Sequence, residues 1–226
     1  MNRSAATTNL LRTDTVLLDF SGTLVNDLRP TWLTTCNVLT KFGKPVPTIH
    51  EFREMFRLPY WSIFKDYGLS DHVAKTTCLQ LYKKLFKKYA WQVSVFADVK
   101  PILQTLKEKK LGIVSQTPKK ILETFLAGKN LKNYFSKVTS LEDTAEQKPS
   151  PLPLLLTAEQ LGRDPSEVLY VGDMTEDVIA AKNARMISVA ISRKHSYHTY
   201  PKLLSSKPDF LISDLRELTS LELLQC

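Results

Sequence analysis

Two aspartates, each placed where an apolar run stops, are the residues of this chain best suited to chemistry. Asp19 closes the run Val16-Leu17-Leu18 and leads into Phe20-Ser21-Gly22-Thr23-Leu24. Far downstream, Val168-Leu169-Tyr170-Val171 ends in Gly172-Asp173-Met174-Thr175-Glu176-Asp177. In an open parallel α/β sheet ligands bind beyond the carboxyl ends of the strands, so two such ends can meet at one site. Paired carboxylates there suit a hard cation. Mg2+ takes oxygen ligands in octahedral geometry, commonly one or two carboxylates, several waters and the oxygens of a phosphate. Asp19 could then be ligand and nucleophile together.

The elements that must position these residues are legible in outline. A strand is expected from about Thr15 to Asp19. Residues 28–97 lack β alternation and read as helical: Trp32, Cys36, Val38 and Leu39 recur at helical spacing, Gly43 terminates them, and Thr48 caps a second helix. Pro59 interrupts the pattern, and a helix from Ser70 to Ala90, capped by Ser70, should bury Val73, Thr77, Leu81 and Leu85. From Asp98 the chain alternates as βα units do. Helices are expected over Val99–Lys110, Pro118–Ala127, Pro151–Leu161, Asp177–Ala184 and Leu215–Leu224. Strands are expected over Leu111–Ser115, Lys137–Thr139, Val168–Val171, Ile187–Ile191 and Asp209–Ile212. The nearly continuous apolar residues of 168–171 suit a strand covered on both faces. The fold class is therefore α/β, a Rossmann-like three-layer core with a parallel sheet and a helical insertion after the first strand.

Composition narrows the function classes. The 226 residues carry 43% hydrophobic and 24% charged residues, ordinary values for a soluble globular protein. No apolar stretch approaches the ~20 residues of a membrane helix. Cys36, Cys78 and Cys226 are few and widely spaced, which fits a reducing, cytoplasmic setting and gives no metal-ligand spacing. Residues 1–13 read as a loose tail without the apolar stretch of a secretory signal. The net charge of +8 favours anionic ligands.

Four separated pieces, Asp19-Phe20-Ser21-Gly22-Thr23, Val114-Ser115, Lys148-Pro149 and Gly172-Asp173 with Asp177, occur in this order at strand ends or helix starts. Their series resembles the haloacid dehalogenase (HAD) superfamily, and within it the phosphoglycolate-phosphatase-like subgroup with a first-type helical cap. The resemblance spans nearly the whole chain. It implies a core of residues 14–27 and 97–226, with residues 28–96 as the cap and Phe96-Ala97-Asp98-Val99 as the re-entry. It also implies Asp19 as nucleophile, Mg2+ held by Asp19, Asp173 and the Ser21 carbonyl, and Ser115 as the phosphate-holding hydroxyl. Lys148 would neutralise Asp19 and the transferring phosphoryl group, and Asp177 would orient Lys148 or a metal-bound water from behind. Gly22 and Thr23 are candidate substrate contacts.

Ser21 departs from the pattern. Most phosphatases of the family carry a second aspartate there, which protonates the leaving group and later activates water. A serine hydroxyl cannot do that acid–base work, which typically contributes ~10²–10⁴ in rate. Three outcomes fit: a leaving group that departs without a proton, a substitute acid with Asp27 nearest in sequence, or a poor enzyme that binds phosphorylated ligand and Mg2+. Phosphonatase-like or dehalogenase-like chemistry is a further alternative, although dehalogenation needs no Mg2+.

The insertion should set substrate choice. Arg53, Arg57, Tyr60 and Trp61 lie where they could face the site, with Arg57 the candidate for a second anionic group. Lys83, Lys84, Lys87 and Lys88 alternate with Leu85, Phe86 and Tyr89 as on one amphipathic helix with a solvated charged face. His195 and His198 read as surface residues. The expectation is a Mg2+-dependent phosphohydrolase acting on a small phosphorylated metabolite, working as monomer or homodimer, with neither a nucleic acid nor a membrane as partner. The rival is a ligand-binding protein that kept the fold.

Overall fold

The computed structural model describes residues 13–221. Six parallel strands form one sheet: β1 (Thr15–Leu18), β4 (Lys110–Val114), β5 (Lys137–Thr139), β6 (Val168–Gly172), β7 (Ile187–Ile191) and β8 (Phe210–Ile212). Their order is β5-β4-β1-β6-β7-β8, so β1 lies inside the sheet between β4 and β6. All four of its side chains are buried, as the unbroken run Thr-Val-Leu-Leu requires of a strand covered on both faces.

Alternation along the strands feeds two interiors. Val16 and Leu18 join Leu111, Ile113, Leu169 and Val171 on one face. They pack there with Ile102 and Leu103 of α6 (Val99–Thr105) and with Leu122 and Leu126 of α7 (Lys119–Gly128). Leu17, Val114, Val168 and Tyr170 point the other way, against Leu154 and Ala158 of α8 (Leu152–Gln160) and Ala180 and Ala181 of α9 (Thr175–Asn183). The three-layer α/β architecture expected from the sequence is thus present.

Between β1 and β4 the chain leaves through β2 (Val25–Asn26) and returns through β3 (Ser94–Val95), which pair antiparallel as a two-stranded ribbon. The helical insert between them holds α1 (Leu28–Lys41), α2 (Ile49–Met55), α3 (Ser62–Asp66), α4 (Asp71–Val73) and α5 (Leu79–Phe86). It has an apolar interior of its own, with Leu28, Val38, Leu39, Phe52, Phe56, Ile63 and Phe64 among its members. Met174 and Tyr197, which belong to the α/β part, complete that interior.

Several local expectations change. α4 and α5 are joined by a π-helical turn, Ala74–Cys78, which slips the buried face: Ala74, Cys78 and Leu85 are buried while Thr77 is exposed. Leu215–Ser220 is a 3₁₀ helix rather than an α-helix, and residues 222–224 of the expected helix lie outside the described residues. α10 (Tyr200–Ser205), α3 and the β2–β3 ribbon were not expected, being too short to establish a period. Of the tail expected over 1–13 only Thr13 is described, and it is buried rather than loose. Among the described residues no helix is long and apolar enough to cross a membrane.

Candidate active site

Register brings the carboxylates together. Leu18 pairs with Ile113 on one side and Val171 on the other, and the Asp19 N–H donates to the Val171 carbonyl at 2.8 Å. Asp19 therefore leaves the sheet beside Gly172 and Asp173. Carboxylate oxygens of Asp19, Asp173 and Asp177 lie within 4.8 Å of one another, and all three residues are buried. Ser115 follows β4 at the same edge of the sheet, its N–H on the Thr139 carbonyl at 2.9 Å.

Lys148 ties the cluster. Its ammonium donates to Asp19 Oδ1 at 2.8 Å, to Asp177 Oδ1 at 2.5 Å and to the Tyr170 hydroxyl at 2.8 Å, with 4% of the residue exposed. Burial alone would discharge it, but Asp177 and Asp19 more than offset that and hold its pKa above the usual lysine range. Asp177 is committed on both sides, since its Oδ2 accepts from the Met174 N–H at 3.0 Å and caps α9. That occupancy suits an orienting group better than a free ligand. Tyr170, within 3.0 Å of Asp177 Oδ1 and 3.1 Å of the Val114 carbonyl, is a member of the site that sequence reasoning missed. The available signal was a tyrosine inside an otherwise aliphatic strand, whose buried hydroxyl needs partners.

Asp173 is wholly buried, and the Tyr197 N–H donates to its Oδ2 at 2.5 Å. Its Oδ1 has no hydrogen-bond partner among the described residues. Burial, and then the neighbouring Asp19 and Asp177, push its pKa well above the carboxylate range. Burial likewise pushes Asp19 up to about 7, against the pull of Lys148. Two buried carboxylates that resist ionising together, one with an orphaned oxygen, form a donor set short of positive charge. A divalent cation would supply that charge, and an all-oxygen set suits Mg2+. Two glycines make the approach possible. Gly22 has φ +72°, and a Cβ there would overlap the Asp173 carboxylate. A Cβ at Gly172 would overlap Asp177.

The other expected residues take varied places. The Ser115 hydroxyl donates to Thr117 Oγ1 and accepts from the Thr117 N–H, both at 3.1 Å, and Ser115 lines a cleft shared with Lys148. Thr23 is wholly buried, its hydroxyl unpartnered among the described residues. Asp27 is buried close to the Ser21 and Tyr197 hydroxyls, and burial outweighs them, raising it to about 6. Arg57 is forked onto Asp66 at 2.6 and 2.7 Å, which commits its donors away from the site. Arg53 is the arginine of α2 whose charge reaches Asp173, and its guanidinium donates to the His198 carbonyl at 3.2 Å. Tyr60 packs with Phe56, Phe64 and Tyr82 inside the insert, while Trp61 lies under Lys65 and Lys75. His198, expected at the surface, is wholly buried between Thr175 and Phe56, because the insert folds over it.

A family model described as haloacid dehalogenase-like hydrolase matches residues 16–191. The chain belongs to that hydrolase family. The phosphoglycolate phosphatase of Escherichia coli (strain K12) is 31% identical over 157 residues, 66% of this chain. The chain matches 62% of that relative's length. A Clostridium perfringens protein named for a pyrophosphatase, PpaX, is 30% identical over 217 residues, 91% of this chain and 95% of its own. A haloacid dehalogenase-like hydrolase structure from Bacteroides fragilis superposes with a TM-score of 0.83 at 26% identity, covering 92% of this chain and 100% of the other.

Proposed function

We propose that this family member is a Mg2+-dependent phosphohydrolase for a small phosphorylated metabolite, working through an aspartyl-phosphate on Asp19 and restricted to leaving groups that depart without a proton. The observation that carries the reading is the convergence of Asp19, Asp173 and Lys148 at one sheet edge, with Ser21 where an acid would be needed. Phosphatase names among the relatives support the reaction class.

Asp19, Asp173 and the Ser21 carbonyl would hold the cation, which when bound supplies charge against the phosphoryl oxygens and favours ionised Asp19. The Asp19 carboxylate attacks phosphorus, and the bond to the leaving oxygen breaks. Lys148 balances charge on Asp19 and on the phosphoryl group while Asp177 and Tyr170 fix its ammonium. The Ser115 hydroxyl would receive a phosphoryl oxygen, whereas the Lys119 N–H that opens α7 is already taken by the Glu142 carboxylate at 2.8 Å. Water then attacks phosphorus, the bond from phosphorus to the Asp19 oxygen breaks, and the water's proton leaves with the phosphate or to solvent, a step that has no carboxylate base at position 21 and is slowed accordingly. Ser21 offers no titratable proton at neutral pH, so acyl and aryl phosphates, whose leaving groups are stable anions, lose least. A second anionic group on the substrate would meet Arg53 in place of Arg57.

The test is phosphate release from acetyl phosphate, an aryl phosphate and an alkyl phosphate with Mg2+, comparing the natural chain with Asp19→Asn and Ser21→Asp. Activity on the first two substrates that Asp19→Asn abolishes supports the reading. Inactivity of both the natural chain and Ser21→Asp favours the ligand-binding rival.

A further inference from the structure

The segment after β7 touches the carboxylate site and the helical insert at once. On the site side, the Tyr197 N–H is the hydrogen-bond donor to the Asp173 carboxylate at 2.5 Å, and the His198 N–H reaches the Asp173 carbonyl at 3.3 Å. With Oδ1 unpartnered among the described residues, that Tyr197 contact fixes how the carboxylate is turned.

On the insert side, the Tyr197 ring packs 4.7 Å from the Phe56 ring and its hydroxyl donates to Thr31 Oγ1 at 2.8 Å. His198 Nδ1 accepts from the Thr175 N–H at 2.9 Å, which leaves Nε2 to donate to the Phe56 carbonyl at 2.8 Å. The Lys202 ammonium donates to the carbonyls of Glu54 at 2.8 Å, Phe56 at 3.2 Å and Arg53 at 3.4 Å. These are the last carbonyls of α2, which have no partner within the helix and favour a cation. Thr199 Oγ1 donates to Glu54 Oε1 at 2.7 Å, and the Leu58 N–H donates to Glu176 Oε1 at 3.0 Å. Lifting the C-terminal end of α2 would leave the buried His198 ring and the Phe56 carbonyl unpaired, a costly state. The insert is therefore tied to the segment that orients Asp173.

We infer that residues 196–202 couple the seating of the helical insert to the affinity of the Asp19–Asp173 site for a divalent cation, with His198 and Lys202 as positioning residues. This rests on the cation site proposed above. Coupling between two sites is reciprocal: whatever loosens the insert weakens the cation, and the cation tightens the insert by the same factor. Lys202 has no hydrogen bond or ion pair to Asp19 or Asp173 among the described residues, and loss of its positive charge would by itself favour a bound cation, so weaker Mg2+ binding in a Lys202 variant reports the segment and the insert.

The experiment is Mg2+ titration calorimetry on the full chain, with amide hydrogen exchange over residues 53–58 read with and without Mg2+. Lys202→Met is expected to weaken Mg2+ by roughly 5-fold or more, the lower end of ordinary coupling. In the natural chain Mg2+ should slow exchange over 53–58, and Lys202→Met should lose much of that protection. His198→Gln, which keeps an acceptor and a donor, should retain more Mg2+ affinity than His198→Leu. Equal Mg2+ affinity in the natural chain and Lys202→Met, with faster exchange over 53–58 in the variant, overturns the coupling alone. A natural chain that takes up no Mg2+ overturns the cation site and the coupling with it.

Discussion

Ser21 stands two residues past Asp19, where a carboxyl group would shuttle protons and a hydroxyl cannot. Ser21→Asp is expected to raise turnover of an alkyl phosphate by ~10²–10⁴ and of acetyl phosphate by less, because an alkyl substrate gains both the acid for its leaving group and the base for water while acetyl phosphate gains only the base, read as phosphate release under saturating Mg2+. Lys148 is the other residue on which the site depends. Lys148→Met leaves Asp19 and Asp177 as buried charges without their partner, and urea unfolding should show a loss of ~3–5 kcal/mol. Residues announced by the end of an apolar run were open to sequence reasoning, because a strand end is a local event; Asp19, Ser115 and Asp173 are of this kind. Tyr170 and His198 were not, since their roles depend on partners such as Val114 and Phe56 that only the folded chain brings near. The same holds for Arg57, whose removal from the site follows from Asp66 on another helix.

The parallel strands were legible element by element because β1, β6 and β7 are buried on both faces and therefore written in apolar residues. The short ribbon, β2 with β3, was not: two residues per strand carry no period, and their pairing joins segments on either side of the whole insert. The π-helical turn between α4 and α5 defeated the period for another reason, inserting a phase slip that no residue type announces. The bend after β1 gives the prediction at this scale. Gly22→Ala places a side chain at φ +72° and into the Asp173 carboxylate. The variant should lose ~1–2 kcal/mol from backbone strain alone, with Mg2+ binding by calorimetry falling more sharply than stability.

Taken whole, the molecule concentrates buried carboxylates at one edge of its sheet although the chain as a whole carries a net charge of +8. A ligand that binds only the folded state stabilises it by mass action, ~2.7 kcal/mol at a hundred times its Kd. For a chain of this size that corresponds to a rise in Tm of roughly 5–10 °C with saturating Mg2+. Asp173→Asn should abolish the rise in a thermal melt, and a chelator should reverse it in the natural chain.

Met174 and Tyr197 reach from the sheet into the interior of the helices. Neither half of the chain is thus a finished object, and transplanting the helical half from a relative, a direct way to alter selectivity, would here import a hole. A working chimera would have to carry positions 174 and 197 along with the transplant, as if they were part of the donor.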